Sequence, residues 1–410
     1  MSTDPVTQPP VDDIALRDRD ADRGLAAGYL EKLKSGDLGS LPVILGLVLV
    51  WVIFYFKNSN FISAFNLTNL SLQITAYGIA ATGVVMVLLV GEIDLAMGSV
   101  SGLAAAVTTV WNLDHGVPGV LSVVMGLVVG AVIGGVHAFF ITKVGVPSFV
   151  VTLAGFIGWA GALLKVLGSG GSRNVTDSFT LHLTDKFFGG AVAWPLVIIL
   201  LLVMVGADHI GRRRRVAAGL EVGPFAGLLI REVAIAVVAL VAVSVWMNDR
   251  GLPLAVLIML AIVVGFDLII RRTLFGRHVF AVGGSKEAAR RAGISVTRIT
   301  TIVFVLSGLL AAAAGIMAAS RGLAVNQQSG SGTFLLNCIA AAVIGGTSLF
   351  GGRGSVYSAL LGALVIGSVS NGIALVGLTS DYEQMITAIV LLAAVVVDAV
   401  ARRGRQSAGR

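Results

Sequence analysis

The chain has 410 residues, of which 56% are apolar and only 12% charged, with 52 glycines and a mean hydropathy of +0.93. Soluble globular domains carry about 25% charged residues, so a water-soluble enzyme is excluded and the composition is that of a polytopic membrane protein. The net charge of +7 does not indicate nucleic acid as a partner, because the basic clusters lie between apolar runs and not on the face of a polar domain.

Residues 1–40 read as a polar cytosolic tail, with Pro5, Pro9, Pro10 and an excess of acids over bases. The tail lacks the order of a secretory signal, a basic segment followed by a short apolar core. Its first twenty residues have the composition of a disordered segment. Residues 21–34 fit either an amphipathic surface helix, with Leu25, Tyr29 and Leu33 on one face, or a frayed tail.

A bilayer core takes roughly 20 apolar residues per helix, and about 17 at the least. Runs of that order fall near 41–56, 67–90, 97–112, 118–141, 147–167, 193–210, 230–247, 253–270, 299–320, 333–350, 354–377 and 383–400. They predict an all-α polytopic membrane domain over 41–400 with about 12 spans (10–12), some short or broken, and a basic cytosolic tail over 401–410. With the amino terminus inside, 23 of the 29 Lys and Arg fall in inside segments, the bias that orients membrane proteins. Losing one central span would place Arg212 to Arg215, or the stretch 271–298, outside, so the even count follows.

Two stretches read as weak copies of each other. VGEIDLAMGSV (90–100) and IGGTSLFGGRGSV (344–356) each follow an apolar helix and end in Gly-Ser-Val at the opening of the next. Either they are a parallel repeat of the kind many transporters contain, or they are glycine-rich junctions alike only in composition. Gly126, Gly130 and Gly134 recur every four residues, as do Gly98 and Gly102. Such bare strips let helix backbones approach closely, whether within this chain or between two copies.

Motifs for covalent chemistry are missing from the sequence. It has no Gly-Lys of a phosphate loop, no HExxH or Cys/His cluster for a metal and no GxSxG elbow. Cys338, its one cysteine, leaves no intrachain disulfide to form. Energy for uphill movement of a solute would have to come from elsewhere.

The segment 271–298, RRTLFGRHVFAVGGSKEAARRAGISVTR, is the longest hydrophilic stretch between spans in the second half. Gly283 and Gly284 are expected to break the chain, after which Ser285 caps a short helix through about Ala292. Glu287 sits in its first turn and Arg290 and Arg291 towards its end, each where the helix dipole favours its charge. Gly293 suits the stop. On these features alone the segment is either a rigid knob for a socket on a soluble partner or an ordinary solvated connection.

Residues 286–293 (KEAARRAG) resemble the E-A-A-x-x-x-G coupling segment of ATP-binding cassette (ABC) importer permeases. With GRHVFAVGGSKEAARRAGI (276–294), EIDLAMGSVSGL (92–103), VPSFVVTLAGF (146–156) and AAAVIGGTSLFGGRGSV (340–356), the chain is similar over roughly residues 60–400 to the ribose/xylose/arabinose/galactoside permease family. The basic loop GRRRRVAAGL (211–220) and its two flanking spans look more like the xylose-type permeases. This resemblance implies an ABC importer permease fold that pairs as a homodimer around a central pathway. It also implies a cytosolic ABC ATPase that receives the segment through Gly283, Gly284, Ser285, Glu287, Ala288, Ala289 and Gly293. A sugar-binding protein would deliver a monosaccharide, a pentose such as xylose, to the outer face. No cofactor is expected on this chain itself, ATP and Mg belonging to the partner ATPase. Two departures are Ala96, where the family usually has Ser after EIDL, and the long tail 1–40.

Glu92, Asp94 and Asn337 are candidates for the pathway or its gate. Carboxylates inside a span are costly and usually paired or water-lining, but Glu92 and Asp94 equally suit capping of the third span. His137 reads as a hydrogen-bonded interior residue, and Asn371 as a further intramembrane polar group. An ion-coupled secondary transporter is the alternative function. That class needs an intramembrane acid or a helix broken at mid-depth; Asp267 and Asp398 are the acids available, but both fall near inner helix ends.

Overall fold

The computed structural model describes residues 41–390 except 221 and 380, together with 392, 393 and 396. The two tails read from the sequence, 1–40 and 401–410, and Asp398 lie outside the described residues. Within them the chain is a helical bundle: α1 (Leu41–Lys57), α2 (Ala64–Leu89), α3 (Met97–His115), α4 (Gly119–Phe139), α5 (Ser148–Leu167), α6 (Ser178–Asp185), α7 (Gly190–Ala217) and α8 (Phe225–Met247). It continues with α9 (Leu254–Arg272), α10 (Leu274–Gly284), α11 (Lys286–Arg291), α12 (Val296–Gly322), α13 (Gly332–Ile344) and α14 (Tyr357–Val376). Residues 381–390 are again helical.

Every one of the twelve apolar runs coincides with a helix or its described part. Eight of the described helices are long and apolar enough to cross a membrane; α1 and α13 are shorter apolar helices. The expected run 333–350 is cut at Ile344, where Gly345 and Gly346 let the chain leave the helix.

The helices differ sharply in how much neighbouring protein surrounds them. In α2, 89% of the apolar core segment is buried, against 67% for α12 and 11% for each of α7 and α8. Helix α2 is apolar on all sides, as a central helix must be. Its polar residues do not spoil this, because Thr68, Ser71, Thr75 and Thr82 each donate a hydroxyl to a carbonyl one turn back in the same helix. Hydroxyls satisfied in that way enter an apolar interior without leaving an orphaned donor. Around α2 lie α12, α14, α13 and α9, while α7 and α8 form a peripheral hairpin resting on α2 through α8.

The glycine strip on α4 meets a helix of its own chain. A Cβ on Gly130 would lie 2.3 Å from the carbonyl oxygen of Gly308, and one on Gly134 would lie 2.2 Å from that of Phe304. The backbones of α4 and α12 touch where these side chains are missing, the small-residue packing that membrane helices use. The strip on α3 faces the loop before α13, with Gly98 against Gly330 and Gly102 against Ser329.

Two short antiparallel pairings close one face of the bundle: Ser172–Asn174 (β1) with Ala324–Asn326 (β4), and Phe187–Phe188 (β2) with Leu252–Pro253 (β3). The opposite face carries loop 90–96, α10, α11 and loop 345–356, and there the candidate site is built.

Candidate functional site

Thr273 Oγ1 accepts from the Gly276 amide and starts α10. The helix runs through Gly283 and Gly284, so the sequence expectation that these glycines break the chain is corrected: the break is one residue later. Ser285 is extended, at φ −162° and ψ 111°, and its Oγ accepts from the Ala288 amide at 3.2 Å, which starts α11. At the far end the Gly293 amide donates to Arg290 O at 3.0 Å and the Ile294 amide to Ala289 O at 2.9 Å. With Gly293 at φ +79° this is a Schellman stop, a left-handed position that glycine occupies without a Cβ penalty. Six helical residues are thus closed at both ends by their own chemistry.

One face of α11 is free. Glu287, Ala288, Arg290 and Arg291 are exposed, and Glu287 reaches Arg291 Nε at 3.2 Å and Arg290 at 3.9 Å. Ala289 is the exception. Read from the sequence as a coupling residue, it is only 3% exposed, because it points into the bundle and anchors the helix.

The glycines before α11 sit at a three-way junction. A Cβ on Gly283 would lie 1.7 Å from Leu89 O and 2.6 Å from Gly352 N, whereas Gly284 has open space. The Gly352 amide itself donates to Leu89 O at 3.0 Å, and Gly91 faces the backbone of Gly351. The two stretches that read as copies of each other, 90–100 and 344–356, therefore touch, and α10 is wedged against both. They differ in one respect: Gly98-Ser99-Val100 lies inside the first turns of α3, while Gly354-Ser355-Val356 precedes α14.

Loop 90–96 is tied to each of its neighbours by a polar contact. Lys286 Nζ, at the start of α11, donates to Glu92 Oε1 at 2.5 Å. Ser307 Oγ of α12 donates to Asp94 Oδ2 at 3.0 Å, and the Ala96 amide donates to Asp94 Oδ1 at 2.9 Å. The Ile93 amide donates to Ser148 Oγ of α5 at 3.3 Å, and Thr152 Oγ1 reaches Ile93 O at 3.3 Å. The helix-capping reading holds for Asp94 and is corrected for Glu92. Asp94 Oδ1 takes the amide of Ala96, the N-cap of α3, while its Oδ2 reaches α12, whereas Glu92 is spent on Lys286 of α11. A residue-by-residue reading missed Lys286, Ser307, Ser148 and Thr152, since the contacts span 55 to 213 positions and leave no local signal.

Asn337 is not part of this cluster. It is buried in α13 and hydrogen-bonded with the Tyr77 side chain of α2, whose ring stacks on Phe334 at 5.5 Å. Asn371 accepts at 2.8 Å from Asn66 Nδ2 and joins α14 to α2. His137 Nε2 accepts from Trp159 Nε1 at 2.9 Å, as an interior hydrogen-bonded histidine should. Asp267 pairs with Arg271 Nε at 2.8 Å, and Arg271 Nη2 reaches Ser355 at 2.9 Å.

A bundle of apolar helices interrupted by two touching loops, with a capped helix seated on their junction, is the architecture of a multi-span membrane protein, and the comparison with known proteins makes it a permease. The chain belongs to the permease family described as branched-chain amino acid transport system / permease component, whose model matches residues 66–395, and within it to the ABC sugar permeases of the xylose and ribose type. It is 32% identical to the xylose transport system permease protein XylH of Escherichia coli K12, over 92% of this chain and 96% of the relative. The XylH of Haemophilus influenzae is 31% identical, over 90% and 98%. The ribose import permease protein RbsC of Bacillus subtilis is 31% identical, over 88% and 94%. No solved structure matches the chain significantly.

Proposed function

We propose that this chain is the membrane-spanning subunit of an ATP-driven importer that carries a pentose such as xylose across the cytoplasmic membrane of a bacterium, with both termini in the cytosol. In this reading two copies form the pathway, a separate ABC ATPase binds ATP and Mg, and an extracytoplasmic sugar-binding protein delivers the substrate. The polar tail 1–40 and the basic tail 401–410 would flank a permease domain over 41–400.

The observation that carries the mechanism is the seat of α10 and α11. The ATPase would grip the exposed residues Glu287 and Ala288 and the stop at Gly293, while Ala289 holds the helix to the bundle. Gly283, Gly284 and Ser285 would pass the movement on, because the Gly283 backbone leaves no gap against Leu89 and Gly352 and Lys286 is bonded to Glu92. Close-packed backbone transmits displacement and does not absorb it. The loops that break the membrane helices would then shift with the ATPase, Glu92 and Asp94 acting as the gate's attachments and Asn337 lining the path deeper in the bundle. A neutral sugar needs no countercharge in the path, and polar groups with weak binding suffice when selectivity resides in the delivering protein.

Proteoliposomes containing this chain, its ATPase and its binding protein are expected to take up xylose only when ATP is present inside. Uptake by this chain alone on a proton or sodium gradient would overturn the proposal in favour of a secondary transporter, a reading that the similarity to xylose and ribose permeases does not favour.

A further inference from the structure

The peripheral hairpin of α7 and α8 carries a basic patch that the transport mechanism does not use. Only 11% of the apolar segment of either helix is buried, so most of their surface is uncovered by the rest of the chain. Helix α7 is 28 residues long and starts beside the β2–β3 pairing, while α9, which starts at the same pairing, has only 19. At 1.5 Å per residue, Arg212 to Arg215 lie about 33–38 Å along α7 from Gly190, past the roughly 30 Å hydrocarbon core and at headgroup depth.

Among the described residues, Asp208 is paired with Arg231 across the hairpin, and the buried Glu232 lies 3.3 Å from His209 Nδ1. Arg212 donates to Gly223 O at 2.6 Å and lies over the Phe225 ring, which fixes the end of α7 against α8. Arg213, Arg214 and Arg215 are exposed and make no ion pair among the described residues. Among the described residues, neither α7 nor α8 packs extensively on α10 or α11, so the patch stands apart from the coupling helix.

We propose that Arg213, Arg214 and Arg215 form a docking surface for the headgroups of anionic phospholipids, a diphosphate lipid such as cardiolipin above all, and hold the hairpin to the membrane that surrounds it. Guanidinium groups at headgroup depth meet lipid phosphates with matching charge and bidentate geometry, and the exposed end of α7 carries three in succession around its circumference.

The test is lipid retention by the full-length permease purified from nanodiscs of equal parts phosphatidylcholine and cardiolipin, read by native mass spectrometry. Cardiolipin is expected to be enriched over its share of the bilayer, and the enrichment to fall as salt is raised, since exposed charges are screened. The triple variant R213Q/R214Q/R215Q should lose the enrichment, on the order of 100-fold in relative affinity, and R213K/R214K/R215K should keep most of it. The lysine variant preserves the topological signal and guards against a misinserted hairpin. Enrichment of the native protein that ignores salt, or a glutamine variant that elutes as the native protein does and retains as much cardiolipin, would overturn the proposal. So would a glutamine variant that keeps its cardiolipin but no longer co-purifies with the ATPase, which would assign the arginines to that partner.

Discussion

Lys286 and Glu92 are 194 positions apart in the chain and joined by a 2.5 Å hydrogen bond. The lysine opens α11, and the glutamate stands in the loop between α2 and α3, so one ion pair bridges the exposed helix and an interruption of the bundle. Lys286 is 41% exposed and Glu92 only 12%, so the pair sits at the rim of the protein, where solvent reduces its net contribution.

Reversing one charge should therefore damage transport more than stability. Glu92→Lys is expected to lower ATP-dependent xylose uptake severalfold at near-normal yield, and the swap E92K/K286E to restore part of it. A double-mutant cycle on thermal unfolding should give a coupling of about 0.5–1 kcal/mol, the range of partly exposed pairs. Additive losses of uptake in the swap would show that the contact transmits nothing.

Neighbouring glycines should behave oppositely. Gly283→Ala drives a methyl group into the Leu89 carbonyl, whereas Gly284→Ala meets open space. Overpacking of this kind costs about 1–3 kcal/mol, so Gly283→Ala should lower the melting temperature and uncouple ATP hydrolysis from uptake. Gly284→Ala should do neither.

At the end of α11, Gly293→Arg must place a side chain at φ +79°, strained by about 1–2 kcal/mol, on the face offered to the ATPase. Membrane insertion should be intact, with ATP hydrolysis uncoupled from uptake. Normal uptake by this variant would contradict the assigned role of α11.

Asp94 should contribute to stability through α12. Ser307→Ala removes the hydroxyl that donates to its Oδ2 at 3.0 Å and leaves a buried acceptor short of one partner. A loss of about 1–3 kcal/mol is expected, read as a lower melting temperature in detergent, while Ser307→Thr, which keeps the hydroxyl, should retain most of it.

Thiol chemistry distinguishes the two faces of α11. Native Cys338 is fully buried and should resist maleimide until the protein is unfolded. Ala288→Cys should label fully on the exposed face and crosslink to a bound ATPase, whereas Ala289→Cys should label slowly because that position is 3% exposed.

The sequence alone carried the features whose causes are local. Hydrophobic runs long enough for a bilayer mark the helices, because a backbone in lipid must satisfy its own hydrogen bonds. Ser285, Glu287, Arg290, Arg291 and Gly293 spell out α11, because caps and dipole contacts act within one or two turns. The spacing of Gly126, Gly130 and Gly134 announces a close helix contact but not with what, and only the packed chain supplies Gly308 and Phe304. Tertiary structure likewise decided that Gly283 wedges between two loops, that Glu92 binds α11 in place of capping α3, that Asp94 joins the start of α3 to α12, and that Ala289 is an anchor. Those outcomes depend on which distant segments are brought within 3 Å, and a local pattern of residues contains no record of distance through space.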